Sequence, residues 1–518
     1  MSQPDLPQPD ADPDRPPVSR IGPARCVSLL LGASMAMVIA GLASRFRVVF
    51  TESASSDAYV ISAVTGVALV TLALGVRLPQ RFAVWVCAAA WRRFVSRGSP
   101  LQMSDVLPSP GAADRPLYWM VLSVIALAAG VATALLPTGL RFAVAAYDWM
   151  LAHFVWSIGP LAVLQAAIVF LTAVVPLAIL GLAVSCVHQL SCPYGRWETR
   201  ATAWLLIGAA GGTLMSGWIT GEPGRGDLIL IVAALPVLLI SLVSATSSAS
   251  RAGASPQAVG VESMPLPIWS DRWPTLLRAG IVSVAGGGAC AITVWTEFLH
   301  EVGSPVTVFL PAMLLATGLG VLAGCQTKRS GLRSIGGFGV ACAAAGVIVA
   351  VSTIGAADTA SAGPAGVAVL ACASLFAIGF ATAYGRQALL SRVASRSFAG
   401  AVILSRMLVC AALTIWAGVP LAERLAGRPG TLVALALSLL VLGGALIIRE
   451  PSYSPRTRRV RLCAVFGSIG VMIVLSLYPT HLRQWRPVSR RAPSAPVSPV
   501  KPRGVETEYS PRHNVADP

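Results

Sequence analysis

Apolar residues arrive along this chain in blocks of about 18 to 22, separated by short stretches that hold Arg, Asp, Glu, Pro and Ser. At 1.5 Å rise per residue, a block of that length makes about 30 Å of α-helix, the thickness of the hydrocarbon core of a bilayer. Read by hydropathy window, the first half predicts spans near 27–46, 57–76, 118–137, 160–187, 201–220 and 227–247. A polar stretch from Ser248 to Trp273 follows, and after it come spans near 278–298, 306–325, 335–355, 364–384, 399–420 and 430–448. A last apolar run, Leu462 to Tyr478, is long enough to be a thirteenth, and the Pro- and Arg-rich tail behind it is expected to be disordered.

The pattern therefore predicts an all-α polytopic membrane protein of two six-helix bundles plus a thirteenth helix. The expected organisation is a disordered cytoplasmic N-terminus (1–26), a first membrane half (27–247), a cytoplasmic linker (248–277) and a second membrane half (278–448). A basic linker with the extra helix (449–478) and a disordered tail (479–518) complete it.

Two stretches fit the spanning pattern poorly. Phe82 to Trp91 is only ten residues, bounded by Arg81, Arg92 and Arg93, and reads as an interfacial helix. Leu140 to Ile158 is interrupted by Arg141, Asp148 and His153 beside Trp149 and Trp156, a headgroup-region mixture, and reads as lying on the outer surface.

Charge then orients the array. With those two stretches left out of the span count, Arg15, Arg20 and Arg25 fall inside, and so does the loop with Arg77, Arg81, Arg92, Arg93 and Arg97. Inside too are the loops with Lys328, Arg329 and Arg333, with Arg386, Arg392 and Arg396, and with Arg449, Arg456, Arg458, Arg459 and Arg461, while Glu297, Glu301 and Asp358 fall outside. Arg424 and Arg428 break the rule, and a spanning thirteenth helix would place the basic tail, with Arg483, Arg486, Arg490 and Arg491, outside as well. The expected location is the cytoplasmic (inner) membrane with a cytoplasmic N-terminus, the first apolar block serving as an uncleaved anchor because Met1 to Arg25 is too polar for a signal peptide.

Composition agrees. Of 518 residues, 55% are hydrophobic and 12% charged, against about 25% charged in a soluble domain. Mean hydropathy is +0.72. The net charge of +17 sits in inter-helix loops and the tail, where it faces anionic lipid, and no basic stripe interleaved with aromatics points to nucleic acid. The ten cysteines are scattered, and Cys87, Cys186, Cys290, Cys325, Cys342, Cys372 and Cys410 lie in or beside apolar segments where Cys packs as a small hydrophobe.

Candidate chemistry is sparse. Glu297, with His300 and Glu301, closes the span 278–298 and is a candidate for binding a proton or a cationic solute, or is a solvated helix end. Arg406 lies a third of the way into 399–420, where it neutralises an anionic solute or snorkels to the interface. Gln165, Thr293, Trp295, Tyr384 and Arg386 are candidates for lining a central cavity, or are ordinary interhelical hydrogen bonders. Pro176, Pro236 and Pro311 each leave a carbonyl without its helical partner and kink or hinge their helices. Cys186, His188 and Cys192 are metal-type ligands at no standard spacing, so no metal or cofactor is expected. No nucleophile–base pair, phosphate loop or paired carboxylate suggests an enzyme.

Six spans, a linker and six spans resemble the layout of the major facilitator superfamily. The segment from Gly324 to Arg333, with Lys328, Arg329 and Gly331, looks like a degraded form of that superfamily's cytoplasmic loop, with Gln326 or Thr327 where the acid belongs. Trp119 to Ser247 is similar to the membrane part of bacterial proteins that fuse a facilitator-like domain to a spermidine-synthase-like domain. The residues that carry this are Val175 to Gly181, Gly208 to Gly212 and Gly217, and no synthase-like domain accompanies them. The resemblance implies a carrier that moves a small solute by alternating access between two bundles. The rival expectation is a non-transporting scaffold, or the membrane partner of a separate soluble aminopropyltransferase-like enzyme.

Overall fold

The computed structural model describes residues 21–50, 65–75, 195–219, 273–301, 306–326, 335–359, 364–390, 396–448 and 454–477, most of 120–132 and 229–243, and isolated positions within 78–89, 135–149 and 178–181. Every described element is a helix. That is the outcome lipid demands, because a backbone with no water to bond must satisfy its own N–H and C=O groups. In order these are α1 (Ile21–Phe50), α2 (Gly195–Ile219), α3 (Trp273–Glu301), α4 (Val306–Gln326), α5 (Ile335–Thr359), α6 (Pro364–Leu390), α7 (Arg396–Leu413), α8 (Val419–Ile448) and α9 (Pro455–Leu477). A single π turn, Thr414–Gly418, joins α7 to α8, closed by the Val419 N–H donating to the Thr414 carbonyl.

Five segments are long and apolar enough to cross a membrane: Leu277–Leu299, Val308–Gln326, Ile335–Ala356, Pro364–Leu389 and Leu404–Ile448. The described chain is thus all-helical with several membrane-crossing segments, as a multi-pass membrane protein requires. Shorter apolar helical stretches cover Arg25–Gly41, Thr65–Gly75, Ser123–Ala132 and Ile231–Ile240.

Leu404–Ile448, at 45 residues, would be about 68 Å long if straight, over twice the hydrocarbon thickness. It is not straight. Gly427 has φ 70° and ψ 175°, a backbone region open essentially to glycine alone, and Pro429 follows two residues later. The neighbours of α3 show the reversal. Gly286 of α3 meets Cys410 of α7, and further along Glu297 meets Arg428, so α7 and the start of α8 run parallel to α3. Past the break, Gly287 meets Leu435 while the earlier Gly280 meets Leu442, so the rest of α8 runs back. The breaker residues sit in the gap between the predicted spans 399–420 and 430–448.

Other contacts extend the alternation. α5 lies antiparallel to α8 (Gly339 at Gly443, Gly346 at Ala436) and to α6 (Gly355 at Leu370, Gly385 at Phe338). α4 and α6 are parallel, with Gly320 at Phe376 and Gly324 at Phe380, and α1 and α2 are parallel, with Gly208 at Leu29 and Gly212 at Ala33. One end of the array therefore collects the starts of α1, α2 and α3 and the ends of α4, α6 and α8. The other end holds Glu297 and the Gly427 break.

Small residues make these contacts close. A Cβ on Gly443 would stand 2.6 Å from the Gly339 carbonyl oxygen, and one on Gly208 would run into the Leu29 carbonyl. Where lipid tails compete with side chains as apolar surroundings, such close backbone approach and its dispersion contacts supply association. The main core is built from α3, α5, α6 and α8 around Trp295, Phe338, Leu375 and Leu440, all essentially inaccessible. The run 462–478 falls largely in α9, whose Leu462, Val465 and Ile469 pack on that core. Of the two stretches read as surface helices, 82–91 and 140–158, only isolated positions are described, and those are helical.

Candidate functional site

The predicted polar residues gather toward the two ends of the helix array. At the level of the Gly427 break, Arg428 Nε stands 3.4 Å from Glu297 Oε2 of α3 and 3.6 Å from Oε1 of Glu423, which lies on the other side of the break in α8. All three side chains are largely enclosed, at 29%, 17% and 24% exposure for Arg428, Glu297 and Glu423. Glu297 is therefore engaged as one side of an ion-pair cluster that ties α3 to the turn where the chain reverses. Sequence reading singled out Glu297 but not its partners. Their signal was the two arginines, Arg424 and Arg428, that broke the charge rule: at least one of them answers a carboxylate rather than the membrane.

About 3 Å back along α3 from Glu297, Trp295 is fully buried and its Nε1–H donates to Ser374 Oγ of α6 at 3.1 Å, while Ser374 in turn donates to its own helix at Ala371 O, 2.7 Å away. Phe298 packs edge-on to the indole at 6.1 Å between ring centroids. Nearby, Ile378 of α6 lies against Gly288 of α3, where a Cβ would be 3.2 Å from its Cγ2. Thr293 donates to Ala289 O at 2.9 Å, and Thr296, Thr317, Thr353 and Thr382 likewise turn back on carbonyls four residues before them. A hydroxyl bonded into its own turn is satisfied without a neighbour or a solute.

At the opposite end, Arg386 of α6 is 2% exposed, and its Nη1 donates to Thr202 Oγ1 of α2 at 3.2 Å, a bond between residues 184 apart in the chain. The next residue, Gln387, donates through Nε2 to the Cys325 carbonyl of α4 at 3.0 Å. Ala203, Val321, Cys325 and Ala383 close a small apolar cluster around the same junction of α2, α4 and α6. Tyr384, also buried, stacks on Phe380 with ring centroids 6.2 Å apart. Gly324 sits where α4 presses on α6, since a Cβ there would come within 2.7 Å of the Phe380 carbonyl oxygen, so helix packing alone accounts for the first residue of the loop segment. Arg25 at the start of α1 lies over the Trp204 ring at 5.7 Å, placing a further cation at this end.

The structure thus brings Tyr384 and Arg386 together at one end, and separates them from Thr293, Trp295 and Glu297, which lie within about 6 Å of one another along α3 toward the other end. Arg406 is exposed on α7, about 15 Å along from that helix's first residue, Arg396. Gln165, Lys328, Arg329, Gly331, Arg333, Pro176 and the Cys186, His188 and Cys192 group lie outside the described residues, as do the side chains of His300 and Glu301. Pro311 lies inside α4 and Pro236 in the stretch Ile231–Ile240. Among the described residues no group of three His, Cys, Asp or Glu side chains converges.

Two sequence-distant contacts link predicted spans by position. Gly66 in the second span of the first half meets Trp416 in the fifth of the second half, and Ile207 in the fifth span of the first half meets Gly318 in the second span of the second half. Within the halves, Gly181 at Leu72 joins spans four and two, as Gly320 at Phe376 joins their counterparts, and α1 meets α2 as α3 meets α7. No protein-family model matches the chain, and no curated protein shows significant similarity to it.

Proposed function

We propose that this protein is a facilitator-like carrier of the cytoplasmic membrane, with two six-helix halves that alternate access for a small, largely neutral solute. The observation that carries the reading is the reciprocal pairing across the halves, Gly66 with Trp416 and Gly318 with Ile207. Second span to fifth and fifth to second is the pairing that a two-fold pseudo-symmetry axis along the membrane normal generates, and that symmetry underlies rocking of one half against the other. The repeated contacts within each half support the same symmetry. The face holding Arg25, Arg200 and Arg386 is then cytoplasmic, by the distribution of basic residues.

A rocking carrier has two ends that open in alternation. The test uses spin-label pairs in nanodiscs, on a chain whose other cysteines have been replaced. Cys26 with Gln326→Cys reports the Arg386 end, and Met215→Cys with Leu425→Cys reports the Glu297 end, all four sites being exposed. A carrier gives two distances at each end, and conditions that lengthen one pair shorten the other. One fixed distance at both ends under every condition refutes alternating access.

A second reading is a non-transporting scaffold or the membrane partner of a soluble enzyme. It is favoured by the Gly288–Ile378 contact, which closes the α3–α6 junction near the middle of the span Leu277–Leu299, and by the Trp295–Ser374 bond nearer the Glu297 end. The fixed-distance result is the one this reading expects.

A further inference from the structure

The helix α9 carries two unlike faces. Leu462, Val465 and Ile469 face the core, Val465 lying 3.3 Å from where a Cβ on Gly444 of α8 would stand. On the other face Arg456, Arg459, Val460, Cys463, Phe466 and Gly470 are all exposed, Val460 and Cys463 lying four residues beyond Arg456 and Arg459, and Phe466 and Gly470 continuing the stripe at three- and four-residue steps. That stripe changes character along its length: guanidinium groups first, then Val460 at 65% and Phe466 at 58% exposure.

Its charged end is built into a firm helix start. Ser454 Oγ accepts the Thr457 N–H at 3.2 Å, and the Ser454 carbonyl accepts the Arg458 N–H at 3.0 Å. Arg456, Arg458, Arg459 and Arg461 therefore occupy the first two turns, with no acidic residue in the first. Of these, Arg456 and Arg459 are exposed, and two like charges at the positive end of a helix oppose both each other and the peptide dipoles, an arrangement that a layer of negative charge beside them stabilises. α9 follows α8 by only six residues, and α8 ends on the face that gathers Arg25 and Arg386.

We infer that this stripe is a docking surface for anionic phospholipid. Arg456 and Arg459 meet the headgroup phosphates, and Val460, Cys463 and Phe466 enter the acyl boundary. The ten residue steps from Arg456 to Phe466 rise about 15 Å, enough to cross from headgroups into hydrocarbon. The assignment rests on membrane residence alone and stands or falls apart from any carrier activity.

The test measures retention of radiolabelled phosphatidylglycerol and phosphatidylcholine by the purified full-length protein in mixed micelles. The wild type holds phosphatidylglycerol in preference. In the double variant Arg456→Gln, Arg459→Gln the preference falls about thirtyfold, the loss expected for two basic groups at an anionic surface. The variant Arg456→Lys, Arg459→Lys keeps it, and excess inorganic phosphate leaves the bound lipid in place. Both variants alter exposed side chains, and unchanged thermal unfolding verifies that the fold is intact. Absence of preference in the wild type, no change in the Gln variant, loss in the Lys variant, or displacement by inorganic phosphate would each overturn the assignment.

Discussion

Replacing Arg428 by Gln removes the charge that stands between two carboxylates. Its Coulomb attraction to Glu297 at 3.4 Å and Glu423 at 3.6 Å is about 5 kcal/mol each at an effective dielectric constant of about 20. Desolvation offsets most of that gain, so breaking a fully buried pair costs about 3–5 kcal/mol and an exposed one about 0.2–1. With the three side chains 17% to 29% exposed, Arg428→Gln falls between these limits, at about 2 kcal/mol, because both Glu297 and Glu423 lose the same cationic partner. Glu297→Gln costs about half as much, since Arg428 keeps Glu423. The double variant Glu297→Gln, Arg428→Gln is then less damaged than the sum of the singles, by about 1 kcal/mol. The assay is unfolding in mixed micelles of increasing SDS content, followed by the fluorescence of the 13 tryptophans. Additive single and double effects, or Arg428→Gln no worse than Glu297→Gln, would refute the cluster as the tie between α3 and the chain reversal.

Three further outcomes follow from the packing. Gly427→Ala forces an L-residue to φ 70°, ψ 175° and lowers stability by about 1–3 kcal/mol in the same unfolding assay. Gly208→Val drives a side chain into the Leu29 carbonyl and separates α1 from α2, read as loss of a disulfide between cysteines placed at Leu29 and Leu205. Trp295→Phe and Ser374→Ala each remove the 3.1 Å bond. Each costs about 0.6–1.7 kcal/mol, the range for interhelical hydrogen bonds in lipid, and together they cost less than their sum.

Much of the helical layout was legible because lipid imposes a length on apolar segments. The starts of α4, α5 and α6 coincide with those of the predicted 306–325, 335–355 and 364–384, and the helices run on past the predicted ends to Gln326, Thr359 and Leu390. The break at Gly427 was legible too, as a polar, Gly- and Pro-bearing interval between two apolar runs. The π turn at Thr414–Gly418 was not, because a five-residue change of hydrogen-bond register leaves hydropathy untouched. The candidate site was legible only as residue types. Thr293 and Trp295 looked alike as polar groups in a span, yet one bonds its own helix and the other its neighbour, a difference set by which face each occupies. Arg386 looked like an interfacial cation, and its burial against Thr202 depends on α2, some 180 residues earlier in the chain, so no local pattern encodes it.

The central claim is that the chain crosses the membrane repeatedly, with the Arg386 end and the Glu297 end on opposite sides. Single cysteines at Gln326 and Ala426, both exposed, on a background with the native cysteines replaced, measure this directly with a membrane-impermeant maleimide on intact cells and on permeabilised ones. The account predicts that Ala426→Cys reacts from outside in intact cells, while Gln326→Cys reacts only after permeabilisation. Labelling of both positions from the same side would contradict it.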